Sequence, residues 1–147
     1  MAEIDHSLIG QWGAPGKMRV ELGKVREFAR AVKDPNPEFQ GEEALAPPTF
    51  LMTIAHWTGD LGTTRSAVKL DFRRLLHGEQ DFEYLKPIRP GDTLTFRSRT
   101  KDVFEKDGKR GGKMLFVIGE TEFTNQRGEV VAYMRNTAIE TSGAVQG

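Results

Sequence analysis

The chain has 147 residues, 21 basic and 21 acidic, and no cysteine. Balanced charge leaves no overall field to hold nucleic acid or an anionic membrane, and the missing thiol excludes a disulfide framework, a cysteine nucleophile and the common zinc-ribbon spacings. The length suits one domain with a real core. No apolar run reaches the ~18–20 residues of a membrane span, and the opening "MAEIDHSLIGQWG" lacks a basic segment followed by an apolar one, so a cytoplasmic protein without a signal peptide is expected.

Taken in chain order, residues 21–33 place Leu22, Val25, Phe28, Ala29 and Val32 at helical spacing, with Lys24, Arg26, Arg30 and Lys33 on the other side. Pro35 ends this helix at Lys33 or Asp34, because a residue before proline avoids the α region. A second helix is expected over 47–57, opening with Pro47 in the first turn and closing at "TGDLG". Phe50, Leu51, Met52, Ile54, Ala55 and Trp57 leave it hardly any polar face, and a helix apolar all round is normally buried.

From about Glu79 the period changes to two. "EQDFEYLKPI" alternates through Phe82, Tyr84 and Ile88, and "TLTFRSRTKDVFE" follows the turn at 89–92. "KMLFVIGETEFT" and "VVAYMRNTAIE" are two further strands, separated by the hairpin signals "KDGKRGG" and "NQRG". Four consecutive antiparallel strands need a cover for their buried face, and the 47–57 helix is the apolar object available. A short strand near 17–20 would complete the sheet. The fold class is therefore α+β, a curved antiparallel sheet wrapped around a buried central helix.

Three separated stretches, "FARAVKDPNPEF", "LAPPTF" and "LLHGEQDFEYLKPIRPGDTL", stand in the order found in the MaoC-like hotdog proteins. The chain resembles their N-terminal MaoC-like dehydratase type, which includes the mycobacterial fatty-acid synthase type II dehydratase subunits. The resemblance runs from about Val20 to Ile139. It implies one hotdog domain over 1–147, with its core at about 17–140. It also implies (R)-specific enoyl-thioester hydration or the reverse 3-hydroxyacyl-thioester dehydration, with a coenzyme A or acyl carrier protein thioester as substrate and no further cofactor.

The family's hydratase motif has the form G-D-x-N-P-x-H. Its acid and histidine flank one water, which must lose a proton as it attacks the β-carbon while the α-carbon gains one. In this chain Asp34, Asn36 and Pro37 match the motif, Lys33 takes the place of the glycine, and Phe39 takes the place of the histidine. The resemblance thus implies a site loop whose catalytic pair is incomplete. On residue type alone Asp34 could equally cap and end a helix.

His77, in "LLHGEQ", is the candidate to replace the missing histidine, or else an ordinary strand-edge side chain. Thr49 and Phe50 open the central helix, where backbone N–H groups would face the thioester oxygen. Phe39, Phe50, Trp57 and Leu61 could line an acyl pocket or be plain core. His56 reads as a core or interface residue, and His6 carries no argument. Arg97, Arg99 and Lys101, with Lys106, Lys109, Arg110 and Lys113, form either a solvated strand face or a patch for coenzyme A phosphates.

Three functions remain open. The chain is a degenerate subunit paired with a second hotdog chain that carries the whole motif, a self-sufficient homodimeric hydratase using Asp34 and His77, or a non-catalytic acyl-thioester binding module. A hotdog thioesterase is disfavoured, since its acid usually comes from the central helix and "PTFLMTIAHW" has none.

Overall fold

The computed structural model describes residues 2–58, 66–109 and 112–143. Strands β1 (Glu3–Ile4) and β2 (Gly16–Arg19) precede helix α1 (Leu22–Ala31). A central segment follows, wound as a 3₁₀ turn over Phe50–Ile54 and as helix α2 over Ala55–Thr58. Strands β3 (Val68–Lys69), β4 (Leu75–Tyr84), β5 (Thr93–Asp107), β6 (Lys113–Thr124) and β7 (Val130–Glu140) complete the chain.

The last four strands and β2 form one five-stranded antiparallel sheet in the order β2-β5-β6-β7-β4. This is the expected sheet, including the short strand near 17–20. β4 begins at Leu75 instead of about Glu79, because a bulge between His77 and Glu79 interrupts the period-two pattern. Gly78 sits in that bulge, where a Cβ would meet the Ile139 side chain at 2.7 Å. The small pair β1-β3, with two residues on each strand, is too short for any periodicity to announce.

The central segment corrects one expectation. Its apolar residues suggest a helix buried all round, yet among the described residues only Phe50, Leu51 and Thr53 are buried, while Met52 is 45% and Trp57 38% exposed. The reason is geometric: one side packs on the sheet, and the other is left exposed among the described residues. Phe50 has no solvent exposure and meets Phe28 of α1 edge to face at 5.6 Å. Met18, Leu94, Phe123, Val131 and Ala132 from four strands or their edges join the same cluster. Fully burying a side chain of this kind contributes roughly 1.5–3 kcal/mol. A second cluster at the far end joins Val68, Leu115 and Val117 with Ile4, Leu8 and Ile9. No described helix is long and apolar enough to cross a membrane.

The outer face of the sheet also differs from the open basic row suggested by Arg97, Arg99 and Lys101. Glu120, 3% exposed, accepts from Arg99 Nε (3.0 Å) and Nη2 (2.6 Å), Lys101 Nζ (3.2 Å) and Arg135 Nε (2.7 Å). Arg97 pairs with Glu122 at 2.9 Å, and the Arg97 and Arg99 guanidiniums lie 4.4 and 4.2 Å from the Trp12 ring centre. Lys106 lies over the stacked rings of Phe104 and Phe116, and Lys113 pairs with Glu105. These cations are committed to the sheet's own carboxylates and rings, which leaves little for a phosphate. Arg110 lies outside the described residues.

Burial pushes the Glu120 carboxyl up, but hydrogen bonds from Arg135, Arg99 and Lys101 outweigh it and hold it at about 2. Since the folded value lies below the unfolded one, Glu120 stabilises the fold fully above about pH 4.5, and that contribution is lost as pH falls toward 2. Glu120→Gln should therefore lower stability at neutral pH by about 2 kcal/mol, a value discounted for the solvent at the network's rim. Urea unfolding of both proteins across pH 7 to 2.5 should show the difference shrinking; a difference independent of pH would refute the assignment.

Candidate active site

The loop after α1 is built from backbone geometry. Lys33 N–H donates to Arg30 O (3.0 Å) and Asp34 N–H to Ala29 O (2.9 Å), with Lys33 at φ 58°. Those two bonds and the left-handed residue between them make a Schellman cap, in which glycine is the customary occupant. The motif's glycine thus corresponds to a residue that must be left-handed, and lysine occupies it here at a steric cost. The helix ends at Ala31, so this cap stops it before Pro35 can.

Asp34 Oδ1 then accepts the Asn36 N–H (3.0 Å), and Asn36 Oδ1 accepts the Glu38 N–H (3.0 Å), capping a 3₁₀ turn over Pro37–Phe39. The loop is tied to its surroundings by Arg26 Nε donating to Gln40 O (2.5 Å) and Leu45 N–H donating to Glu38 O (2.8 Å). Two Asx turns and two prolines therefore hold the chain rigid where the motif's acid stands.

This loop delivers Phe39, 7% exposed, into the wall of an open groove of about 430 Å³. Leu45, Ala46, Pro48, Tyr84, Leu85 and Ile88 line it with Phe39, and the charged Glu38 and Lys86 also line it. Tyr84 Oη donates to Pro48 O at 2.6 Å, bridging the end of β4 to the start of the central segment. Burial pushes its phenol up to about 12, so it stays a donor throughout the physiological range.

The other candidates are placed as follows. Phe50 turns its ring into the core, and its N–H donates to Pro47 O (2.9 Å), so neither is offered to a ligand. Thr49 is exposed, one residue beyond the groove-lining Pro48. Trp57 lies on the uncovered side of α2, and Leu61 is outside the described residues. His77 stands opposite Ala138 on β4, seven residues before Tyr84, which at ~3.3 Å per residue is about 23 Å away along the strand. The chain brings together Asp34, Asn36 and Phe39 in one loop; it leaves His77 at the opposite end of β4 from the groove. Tyr84 and Leu85 were not singled out by their residue types. The alternation that puts Tyr84 on the same face as Phe82 is the signal that could have found Tyr84.

A five-stranded antiparallel sheet around a central helix, with an Asp-x-Asn-Pro loop packed at that helix's start, defines a hotdog protein of the MaoC-like class. Residues 7–134 match the family described as FAS1-like, dehydratase domain region, and the chain belongs to it. Curated relatives are UPF0336 proteins: one from Streptomyces coelicolor is 34% identical over 80% of this chain and 83% of its own length. Another, from Saccharopolyspora erythraea, is 31% identical over 92% of this chain and 90% of its own. Among solved structures, the C-terminally truncated HadBC (3R-hydroxyacyl-ACP dehydratase) complex of Mycobacterium tuberculosis aligns with a TM-score of 0.71 and 25% identity, covering 92% of this chain and 99% of that one. The R-hydratase PhaJ1 of Pseudomonas aeruginosa shares the fold at a TM-score of 0.60 and 15% identity, over 100% of this chain and 95% of that one.

The cap geometry gives a direct test. Lys33→Gly should raise stability by about 0.5–1 kcal/mol, the left-handed penalty less the extra freedom of an unfolded glycine. Asn36→Ala, which removes the cap on the Glu38 N–H, should lower it by about 1 kcal/mol. Chemical unfolding of the two variants should move in opposite directions; a destabilised Lys33→Gly would contradict the cap.

Proposed function

We propose that this chain, as one hotdog domain, is the substrate-holding subunit of an (R)-specific enoyl-thioester hydratase or 3-hydroxyacyl-thioester dehydratase, working in the cytoplasm on coenzyme A or acyl carrier protein thioesters. The observation that carries this reading is Phe39. It stands where the motif has its histidine, yet it is buried and forms an apolar wall of the groove. The groove's volume falls within the usual range for small-molecule sites. Phenylalanine can neither accept nor donate a proton; it can pack against an acyl chain.

The chemistry needs a base for water, an acid for the α-carbon and donors for the oxygen of the thioester. Asp34 retains the position of the acid, with one oxygen held by the Asn36 N–H. The loop itself contains no histidine. Loss of a positioned general acid or base typically removes about 10²–10⁴ in rate. A second hotdog chain with an intact motif would supply the reacting pair, while this chain shapes the acyl site. The self-sufficient reading would need His77 at the water, and in one chain that residue is at the far end of β4 from the groove.

Purified alone, the chain should hydrate an enoyl-CoA negligibly. Adding a hotdog subunit with a complete motif should raise turnover by about 10² or more. That activity should survive Asp34→Asn in this chain with modest loss, and it should vanish when the added subunit's aspartate or histidine is replaced. Brisk turnover by the chain alone, abolished by His77→Ala, would overturn the proposal in favour of a self-sufficient hydratase.

A further inference from the structure

We propose that the outward carboxylate row at the edge of β4 selects the second hotdog chain, so that the facing strand of that partner carries lysine or arginine in its middle and apolar side chains at its ends. This rests on the reading of the chain as one half of a hotdog pair, and it names the chemistry that selects the other half.

The sheet has two edges, and they are unlike. β2 has four residues, with Lys17 and Arg19 exposed, the way natural sheets blunt an edge against pairing. β4 has ten residues, about 33 Å of strand, and pairs only with β7 among the described residues. Its inward row, including Phe82 and Tyr84, belongs to the core and the groove. By alternation its outward row is Glu79, Asp81 and Glu83, all exposed.

That row is under-compensated. Arg135 Nη1 lies 3.3 Å from Asp81 and 2.7 Å from Glu83, but one guanidinium serves both, and its Nε is already given to Glu120. Glu79 forms no ion pair among the described residues. Beyond the acids the edge turns apolar: Phe72 is 84% exposed and Leu76 40% at one end, Leu85 52% at the other. Phe72 is held in that position. Asp71 Oδ1 caps its turn through the Arg73 N–H, and the Asp71 N–H donates to the buried Glu140.

Consider the chain paired with a copy of itself so that both central helices stay on one side of the joined sheet. Residues opposite each other then share a face. About an axis through Asp81, Glu79 meets Glu83, Asp81 meets Asp81 and Glu83 meets Glu79. An axis through Gln80 still sets Glu79 against Asp81. Like charges directly opposite on a sheet are unfavourable, and two or three such pairs weaken self-pairing by about ten- to a hundredfold. A partner with basic residues there turns the same contacts favourable, while its apolar ends cover Phe72 and Leu85.

The test uses the chain as its own partner. Sedimentation equilibrium at neutral pH and about 0.15 M salt, where screening still leaves contact pairs intact, would compare three proteins. These are the native chain, the neutral variant Glu79→Gln/Asp81→Asn/Glu83→Gln, and the basic variant Glu79→Lys/Asp81→Lys. The neutral variant should self-associate about tenfold or more tightly than the native chain, and native with basic should form a mixed pair about tenfold tighter than either alone. Equal self-association of native and neutral chains would overturn the proposal. So would loss of the mixed pair on Lys17→Glu/Arg19→Glu, which would move the seam to β2. Should the basic variant misfold, judged by circular dichroism, the native-against-neutral comparison decides by itself. Assembly is read without substrate: a charge-selected pair whose natural counterpart shows no turnover would sink the functional reading and leave the seam standing.

Discussion

Phe50 is where the three layers of this protein meet. Its ring meets Phe28 of α1 and belongs to the same buried cluster as Leu94, Phe123, Val131 and Ala132 of the sheet, with no exposure to solvent. Because it follows Pro47 and Pro48, whose rings fix the entry of the chain, burying it also fixes where the central segment starts. That start sets Pro48 beside Tyr84 and gives the loop of Asp34 a surface to pack on. A truncation here would leave a cavity at the one point shared by the helix, the sheet and the approach to the groove.

The loop shows that a site's frame and its chemistry are separable. The Schellman cap, the two Asx turns and the prolines keep their geometry with lysine in the left-handed position and phenylalanine in place of a proton carrier. Backbone bonds hold the turn, so the side chain at position 39 is free to change from reactive to merely shaped. At position 39 such a frame presents an apolar wall to the groove.

Much of the fold was legible because its signals are local. The alternation in β5, β6 and β7, the hairpin turns and the prolines before Phe50 each specify structure within a few residues. Where the sequence misled, the deciding partner was remote. The 47–57 stretch looks buried on every side because Met52 and Trp57 are as apolar as Leu51, and only the sheet's position reveals which of them faces water. Arg97, Arg99 and Lys101 look like an open cationic row until Glu120 and Glu122 arrive from the neighbouring strand. The site divides the same way: Asp34, Asn36 and Phe39 could be read from a motif, whereas Tyr84 joins the groove through a contact 36 residues away in sequence.

The chain's two tryptophans lie on opposite sides of one sheet. Trp12 is sandwiched with two guanidiniums above the carboxylate network, and Trp57 stands on the bare flank of the central helix. The molecule therefore carries a pair of native optical probes with separate sensitivities. Emission from the first follows the ionic state of the outer face. Emission from the second follows whatever comes to cover the helix, so acid titration and assembly can be watched independently in unlabelled protein.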